Sequence, residues 1–226
     1  MANSRNRNNG TGGVVVIGLG RFGGSLALEL VNRGSEVLGI DSDQKIIQHY
    51  ADDLTHAAVA DSTDAEALRQ LGVDEFERAV VGIGSHIEAS ILTTAVLTDF
   101  RIPSIWAKAI SRQHGRILQR IGAHHVVLPE HDMGERVAHL VTGGRLLDYI
   151  AFDDDYAMAK TVPPQEAIGV PLSESRLRQR YGVTVVGIKR PGKEFTYAVS
   201  DTAPQRGDVI IVAGHISDIE RIADSN

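Results

Sequence analysis

The sequence predicts an α/β chain: a doubly wound parallel sheet with a second, smaller α+β lobe at its C-terminal end. Three observations predict it. Short β-branched runs alternate six times with helical segments between Val14 and Val141. The first run ends in Gly18-Leu19-Gly20-Arg21-Phe22-Gly23, a glycine turn that opens a helix. Past Gly143-Gly144 the pattern changes to strands at hairpin spacing. Strand–helix alternation with short links gives parallel strands joined by right-handed crossovers. Such sheets take ligands outside the carboxyl ends of their strands, where the strand order reverses.

The elements follow in order. Val14 to Ile17 is a buried strand, Leu26 to Arg33 a helix stopped by Gly34, and Glu36 to Ile40 a second strand ending at Asp41. Asp43 to Ala51 places Ile46, Ile47 and Tyr50 on one helical face. Thr55 to Ala60 is the third strand, followed by the cap cluster Asp61-Ser62-Thr63-Asp64 and a helix from Ala65 to Leu71. Arg78 to Ile83, Ser104 to Ala109 and His125 to Leu128 complete the strands. Their helices are Ile87 to Phe100, Arg112 to Ile121 and Asp132 to Val141. This domain covers 14–143.

In the second lobe, 144–226, the acidic run Asp153-Asp154-Asp155 lies at a boundary or hinge. Tyr156 to Val162, Val183 to Lys189, Glu194 to Val199 and Asp208 to Ala213 read as strands, with a turn at Pro191-Gly192. Ser173 to Arg180 is a short polar helix and Ile216 to Ala223 a closing one. A lobe this small is expected to gain stability by dimerising. Met1 to Gly13 is polar and aperiodic, which predicts a disordered tail and not a secretory signal.

Bulk composition excludes several classes. Of 226 residues, 42% are hydrophobic and 23% charged, so global disorder is excluded. No apolar run approaches the ~18 residues of a membrane span. The absence of cysteine excludes disulfides, thiolate zinc sites and cysteine nucleophiles, and accords with a cytoplasmic chain. A net charge of −6 and 5% aromatic residues argue against a nucleic-acid partner.

The glycine turn is the centre of the functional reading. Gly18 permits the tight turn, Gly20 lets backbone approach a pyrophosphate, and Gly23 lets helix pack on strand. The helix N-terminus then offers N–H donors and partial positive charge to phosphate oxygens. Asp41 ends the next strand 18 residues after Gly23, where a carboxylate accepts ribose hydroxyls. Arg21 within the turn can reach a terminal phosphate, which favours ATP or ADP over a nicotinamide dinucleotide, NAD(H), whose pyrophosphate is internal. It can equally be a surface arginine over the helix end. Asp61 and Ser62 lie where an adenine edge is expected, or cap the following helix. Gly84 can approach the nucleotide closely, and Lys108 reaches phosphate if it faces the crevice. Glu130, at the end of the sixth strand, is a candidate ligand for Mg²⁺ or Ca²⁺ beside phosphates, with helix capping as its other reading. His124 and His125 point to opposite faces of a strand, which argues against their joining His131 in a metal site.

The segments GLGRFGG from Gly18, WAKA from Trp106, IGAHHVVLPEHDMG from Ile121 and RYGVTVVGIKRPG from Arg180 together resemble one family. It is the regulators of K⁺ conductance (RCK proteins) of the KtrA/TrkA type, cytosolic subunits of bacterial potassium transporters. The resemblance runs from about Val14 to Ala223. It implies a Rossmann-like N-terminal lobe, assembly of dimers into an octameric ring, and docking on a membrane K⁺-translocating subunit. The chain would then lie at the inner face of the cell membrane without inserting into it. The resemblance further implies ATP or ADP as ligand, NAD(H) in some members. In the chemistry it implies, Arg21 is the loop arginine, Asp41 the ribose carboxylate and Glu130 the cation-binding glutamate. The C-terminal lobe of some relatives binds cyclic di-AMP, and the matching stretch is Gly169 to Gly182, with Leu172 and Arg178 as apolar and phosphate contacts. Ser173 stands where relatives often carry isoleucine, and Pro171 departs as well.

The expected role is therefore nucleotide-dependent gating, not catalysis. An NAD-dependent dehydrogenase would need an acid/base pair near the nicotinamide, and the second lobe carries His215 without an obviously spaced carboxylate. A nucleotide-binding protein with no membrane partner is the other alternative.

Overall fold

A computed structural model describes residues 13–142 and 144–225. The expected tail, apart from Gly13, lies outside them, as do Gly143 and Asn226. The chain forms two compact units that divide between Glu130 and His131.

The first unit contains β1 (Val14–Ile17), α1 (Arg21–Asn32), β2 (Val37–Asp41), α2 (Gln44–Tyr50), β3 (His56–Val59), α3 (Ala65–Gln70), β4 (Arg78–Val81), α4 (Ile87–Asp99), β5 (Ser104–Lys108), α5 (Arg112–Arg120) and β6 (His125–Val127). Its strands lie in the order β3-β2-β1-β4-β5-β6, all parallel, so the order reverses between β1 and β4. Polar caps set the helix starts. Asp43 accepts from the Lys45 amide, Asp64 from those of Glu66 and Ala67, and Ser111 from that of His114.

Side chains alternate across β1, and both faces are buried. Val15 and Ile17 join Ile40, Leu68, Leu97 and Leu118 on one face, while Val14 and Val16 join Ala27, Val37 and Ile47 on the other. Each large apolar side chain removed from water in this way contributes roughly 1.5–3 kcal/mol.

Helix α1 starts at Arg21, five residues before the expected Leu26. Gly23 and Gly24 lie inside it and do not break it, because neighbouring atoms occupy the space a side chain would need. A Cβ on Gly24 would lie 2.1 Å from the Tyr50 hydroxyl oxygen.

Helix α6 (Pro129–Thr142) starts ahead of the expected Asp132 and carries the chain from one unit into the other. The boundary expected at 143 thus falls thirteen residues after the point where the compact units divide. The second unit adds β7 (Asp148–Ala151), β8 (Tyr156–Thr161), α7 (Leu172–Ser175), α8 (Leu177–Tyr181), β9 (Thr184–Lys189), β10 (Phe195–Tyr197), β11 (Val209–His215) and α9 (Ile216–Asp224). Its antiparallel sheet has the order β10-β9-β11-β8-β7.

Strand β7 was not expected. The acidic run read as a boundary is its turn to β8, where Asp153 Oδ1 accepts from the amides of Asp155 and Tyr156. The helix expected over Ser173 to Arg180 is two short helices, because Arg176 adopts a left-handed φ of 53° between them. Ile210, Val212, Ile219 and Ile222 centre the core of this unit.

Asp148 accepts hydrogen bonds from Arg136 and Lys160, and these lower its carboxyl from 3.8 to about 2. A folded-state pKa depressed in this way contributes stability that is complete above the unfolded value and lost as pH falls through the folded one. The second unit is therefore expected to lose stability as acidity passes from 3.8 towards about 2. Asp148→Asn should flatten that part of an acid-unfolding curve followed by circular dichroism.

Candidate functional site

The reversal between β1 and β4 opens a crevice at the carboxyl ends of β1 to β4. Gly18 leaves β1 with φ +87°, a conformation that side chains rarely adopt, and its amide donates to the Ile40 carbonyl at 2.7 Å. A Cβ on Gly23 would lie 1.9 Å from the Gly18 carbonyl oxygen, so α1 can approach β1 only without one. Gly20 is different. Nothing lies within 4 Å of the position its Cβ would take. A side chain there would project into the open space beside the turn, which Gly20 lines.

Gly20 is also the N-cap of α1. No side chain caps that end, and the first turn holds no acidic residue. Its N–H groups and the positive end of the helix dipole have no side-chain counter-charge there, an arrangement suited to an anion.

A cavity of about 440 Å³ continues from the turn, lined by Gly18, Gly20, Asp41, Asp61, Ser62 and Gly84 among others. The structure therefore brings six of the sequence-predicted residues together. Asp41 has a second task beyond the expected one. Its Oδ2 accepts from the Leu19 amide at 2.8 Å and its Oδ1 from the Asp43 amide at 2.9 Å, tying β2 to the glycine turn. Each oxygen keeps a lone pair for a ribose hydroxyl.

Asp61 and Ser62 line the cavity, but their polar atoms are committed elsewhere. Asp61 Oδ1 accepts from the hydroxyl and amide of Thr63, and the hydroxyl first among these causes holds its carboxyl below the usual range. The cap of α3 is Asp64. The Ser62 hydroxyl is buried against Thr93 Oγ1 at 2.8 Å. Sequence reasoning missed Ile46, Ile83 and His86 in the wall. The position of Ile83 and His86 in the loop after β4, opposite the glycine turn, was the available signal.

Arg21, Phe22, Lys108 and Glu130 form a neighbouring cluster. Arg21 is exposed on the first residue of α1. The Lys108 ammonium, at the end of β5, lies 5.7 Å from the Phe22 ring centroid and 2.5 Å from Glu130 Oε1. That hydrogen bond, and to a lesser extent the charges of Lys108 and Arg21, hold the Glu130 carboxyl below its usual range. The cluster adjoins the cavity through Gly84, whose Cβ position would be 3.2 Å from Lys108 Nζ.

The expected metal role of Glu130 meets a different partner, since the cation beside it is a lysine of its own chain. Among the described residues no group of three or more histidine or carboxylate side chains is placed to hold a metal ion. His124 Nδ1 accepts from the Ile105 amide, His125 stacks on Trp106, and His131 lies 3.6 Å from Glu135. In the second unit, Leu172 and Arg178 line one cleft of about 520 Å³, where Arg178 donates to Thr184 Oγ1 at 3.0 Å.

Comparison with known proteins places this geometry. A TrkA-N domain is recognised over residues 14–129 and a TrkA-C domain over 158–225. The chain is 37% identical over 206 residues to Ktr system potassium uptake protein C of Bacillus subtilis, covering 91% of this chain and 93% of that protein. It is 36% identical to protein A of the same system and organism, with the same coverage. Among solved structures, the GsuK RCK domain superposes with a TM-score of 0.66 at 19% identity, over 96% of this chain and 48% of that one. The GsuK channel bound to NAD gives 0.64 at 19% identity, over 96% and 40%. The chain thus spans about half or less of these solved chains, and the likeness shows a shared fold.

Proposed function

The chain belongs to the TrkA family and carries both its N-terminal and C-terminal domains, and on that premise we propose that it is a nucleotide-sensing regulatory subunit of potassium uptake. In this reading it works at the cytoplasmic face of the membrane as a homo-oligomeric ring, an octamer of dimers, docked on a membrane-embedded K⁺-translocating subunit. It is a regulator, not an enzyme. ATP and ADP, with different affinities for two ring shapes, shift the population between those shapes, and the docked transporter follows.

One observation carries the nucleotide reading. The uncapped N-terminus of α1, with Gly20 open to the cavity and Arg21 exposed beside it, offers donors and charge for phosphates, while Asp41 offers acceptors for a ribose. Adenosine 5′-phosphates supply both parts. A divalent cation at Glu130 would complete its coordination with phosphate oxygens, because the chain supplies no cluster of three ligands among its described residues. The cleft holding Leu172 and Arg178 is the candidate for cyclic di-AMP. NAD(H) is the second reading, favoured by the carboxylate at Asp41 and by the NAD-bound GsuK channel of like fold.

Mass spectrometry of the purified chain is expected to identify the carried nucleotide, and elution volume its assembly. In calorimetry, Arg21→Ala should weaken ATP about tenfold, the loss of one charge-assisted phosphate contact, and weaken ADP less. Equal losses would count against a terminal-phosphate role for Arg21.

A further inference from the structure

Lys108 and Glu130 are unequally placed. The lysine side chain is 10% exposed, the glutamate side chain 64%. A nearly buried ammonium cannot lose its counter-ion without a large desolvation penalty, whereas an exposed carboxylate is rehydrated as soon as it swings away. The lysine therefore needs one anion at all times, and of the two side chains the glutamate is free to leave. On its other side the ammonium looks past Gly84 towards the cavity, with no side chain on that residue to intervene. The Phe22 ring and the start of α1 lie beside it.

We infer that Glu130 is a built-in competitor for the phosphate site. Its carboxylate stands beside Lys108 where a nucleotide phosphate would stand, and phosphate binding exchanges one anion for the other. The exchange releases the first turn of α6, because Glu130 is the second residue of that helix. Nucleotide binding in the first unit thereby acts on the helix that runs into the second. This rests on the nucleotide reading above, and it assigns Glu130 a role opposite in sign to that of a metal ligand. Without divalent cations, removing the carboxylate should help the nucleotide.

The test is calorimetric titration of the full chain with ADP in buffer containing a chelator. Glu130→Gln, at an exposed position, should keep the wild-type melting temperature and bind ADP about fivefold more tightly, the worth of one partly exposed ion pair. Lys108→Met should bind ADP more weakly, and adding Glu130→Gln to it should bring no gain. Should Lys108→Met fail to fold, amide exchange in the first turn of α6 gives the same answer in the wild type, where ADP should speed it. Unchanged or weaker binding by Glu130→Gln overturns the inference, as does a gain that survives in the double variant or an unaltered exchange rate. If ADP binds neither the wild type nor Glu130→Gln, the nucleotide reading falls and the inference with it. ADP binding without the gain removes the inference alone.

Discussion

Gly23→Ala is expected to destabilise the first unit by at least about 3 kcal/mol, the range of severe overpacking in a core. The new Cβ would sit 1.9 Å from the Gly18 carbonyl oxygen and 3.6 Å from Val16 Cγ1. The first of these is a backbone atom, so no rotamer change relieves the clash. Gly18 is itself held by its bond to Ile40, and Gly82 packs on the same oxygen, with a Cβ position at 2.7 Å. Relief requires lifting α1 off β1 and opening the glycine turn. Thermal unfolding and amide exchange check this. Protection should collapse across β1, β2 and β4 and persist across β8, β9 and β11. Gly20→Ala is the control. Its Cβ meets nothing within 4 Å, so its melting point should be close to wild type while nucleotide affinity drops at least tenfold. A Gly23→Ala protein that melts like wild type would show that the turn is laxer than its geometry implies.

Asp208→Ala is expected to have the corresponding effect in the second unit, about 2–4 kcal/mol. The Asp208 side chain is 1% exposed and accepts from Arg190 Nε at 3.1 Å, Arg190 Nη2 at 3.2 Å and the Gln205 amide at 2.7 Å. Burial, the largest single influence, pushes its carboxyl up, but the Arg190 fork and the Gln205 amide together outweigh it and hold the carboxyl below the usual range. Alanine leaves a buried amide without its acceptor and an arginine without its fork. Exchange protection should fall across β9 and β11 and stay unchanged across β1 and β4. Asp208→Asn, which keeps one acceptor, should lose about half as much. The carboxylate is depressed on folding, so its contribution is present near neutrality and disappears as pH falls through its folded value.

These two variants act on parts of the molecule that differ in how far they could be read beforehand. The glycine turn was legible because each glycine's task is local. Strand, turn and helix start lie within six residues, and Asp41 follows at the spacing of one βαβ unit. The six strands of the first sheet were legible for the same reason, since β-branched runs and capping residues act over one or two turns of chain. Asp148 to Ala151 was harder to see. Gly144 and the three aspartates resemble a linker, and only pairing with Tyr156 to Thr161 makes this segment a strand. Arg176 was illegible for a related reason, because nothing in Ser173 to Arg180 announces a left-handed residue.

The amino-acid sequence by itself determined the two-lobe plan, the parallel order of alternating elements, the phosphate turn and the family. All of these are written in short-range periodicity and in motifs of a few residues. Tertiary structure alone decided that Ser62 turns its hydroxyl into the core against Thr93, that Asp41 braces the turn it was expected to serve, and that the cation beside Glu130 is Lys108. Lys108 and Glu130 are 22 residues apart, and Ser62 and Thr93 are 31. Side chains so separated meet only after crossovers have set the strands side by side. Which charges then share a space depends on burial and distance, quantities that a linear pattern does not contain.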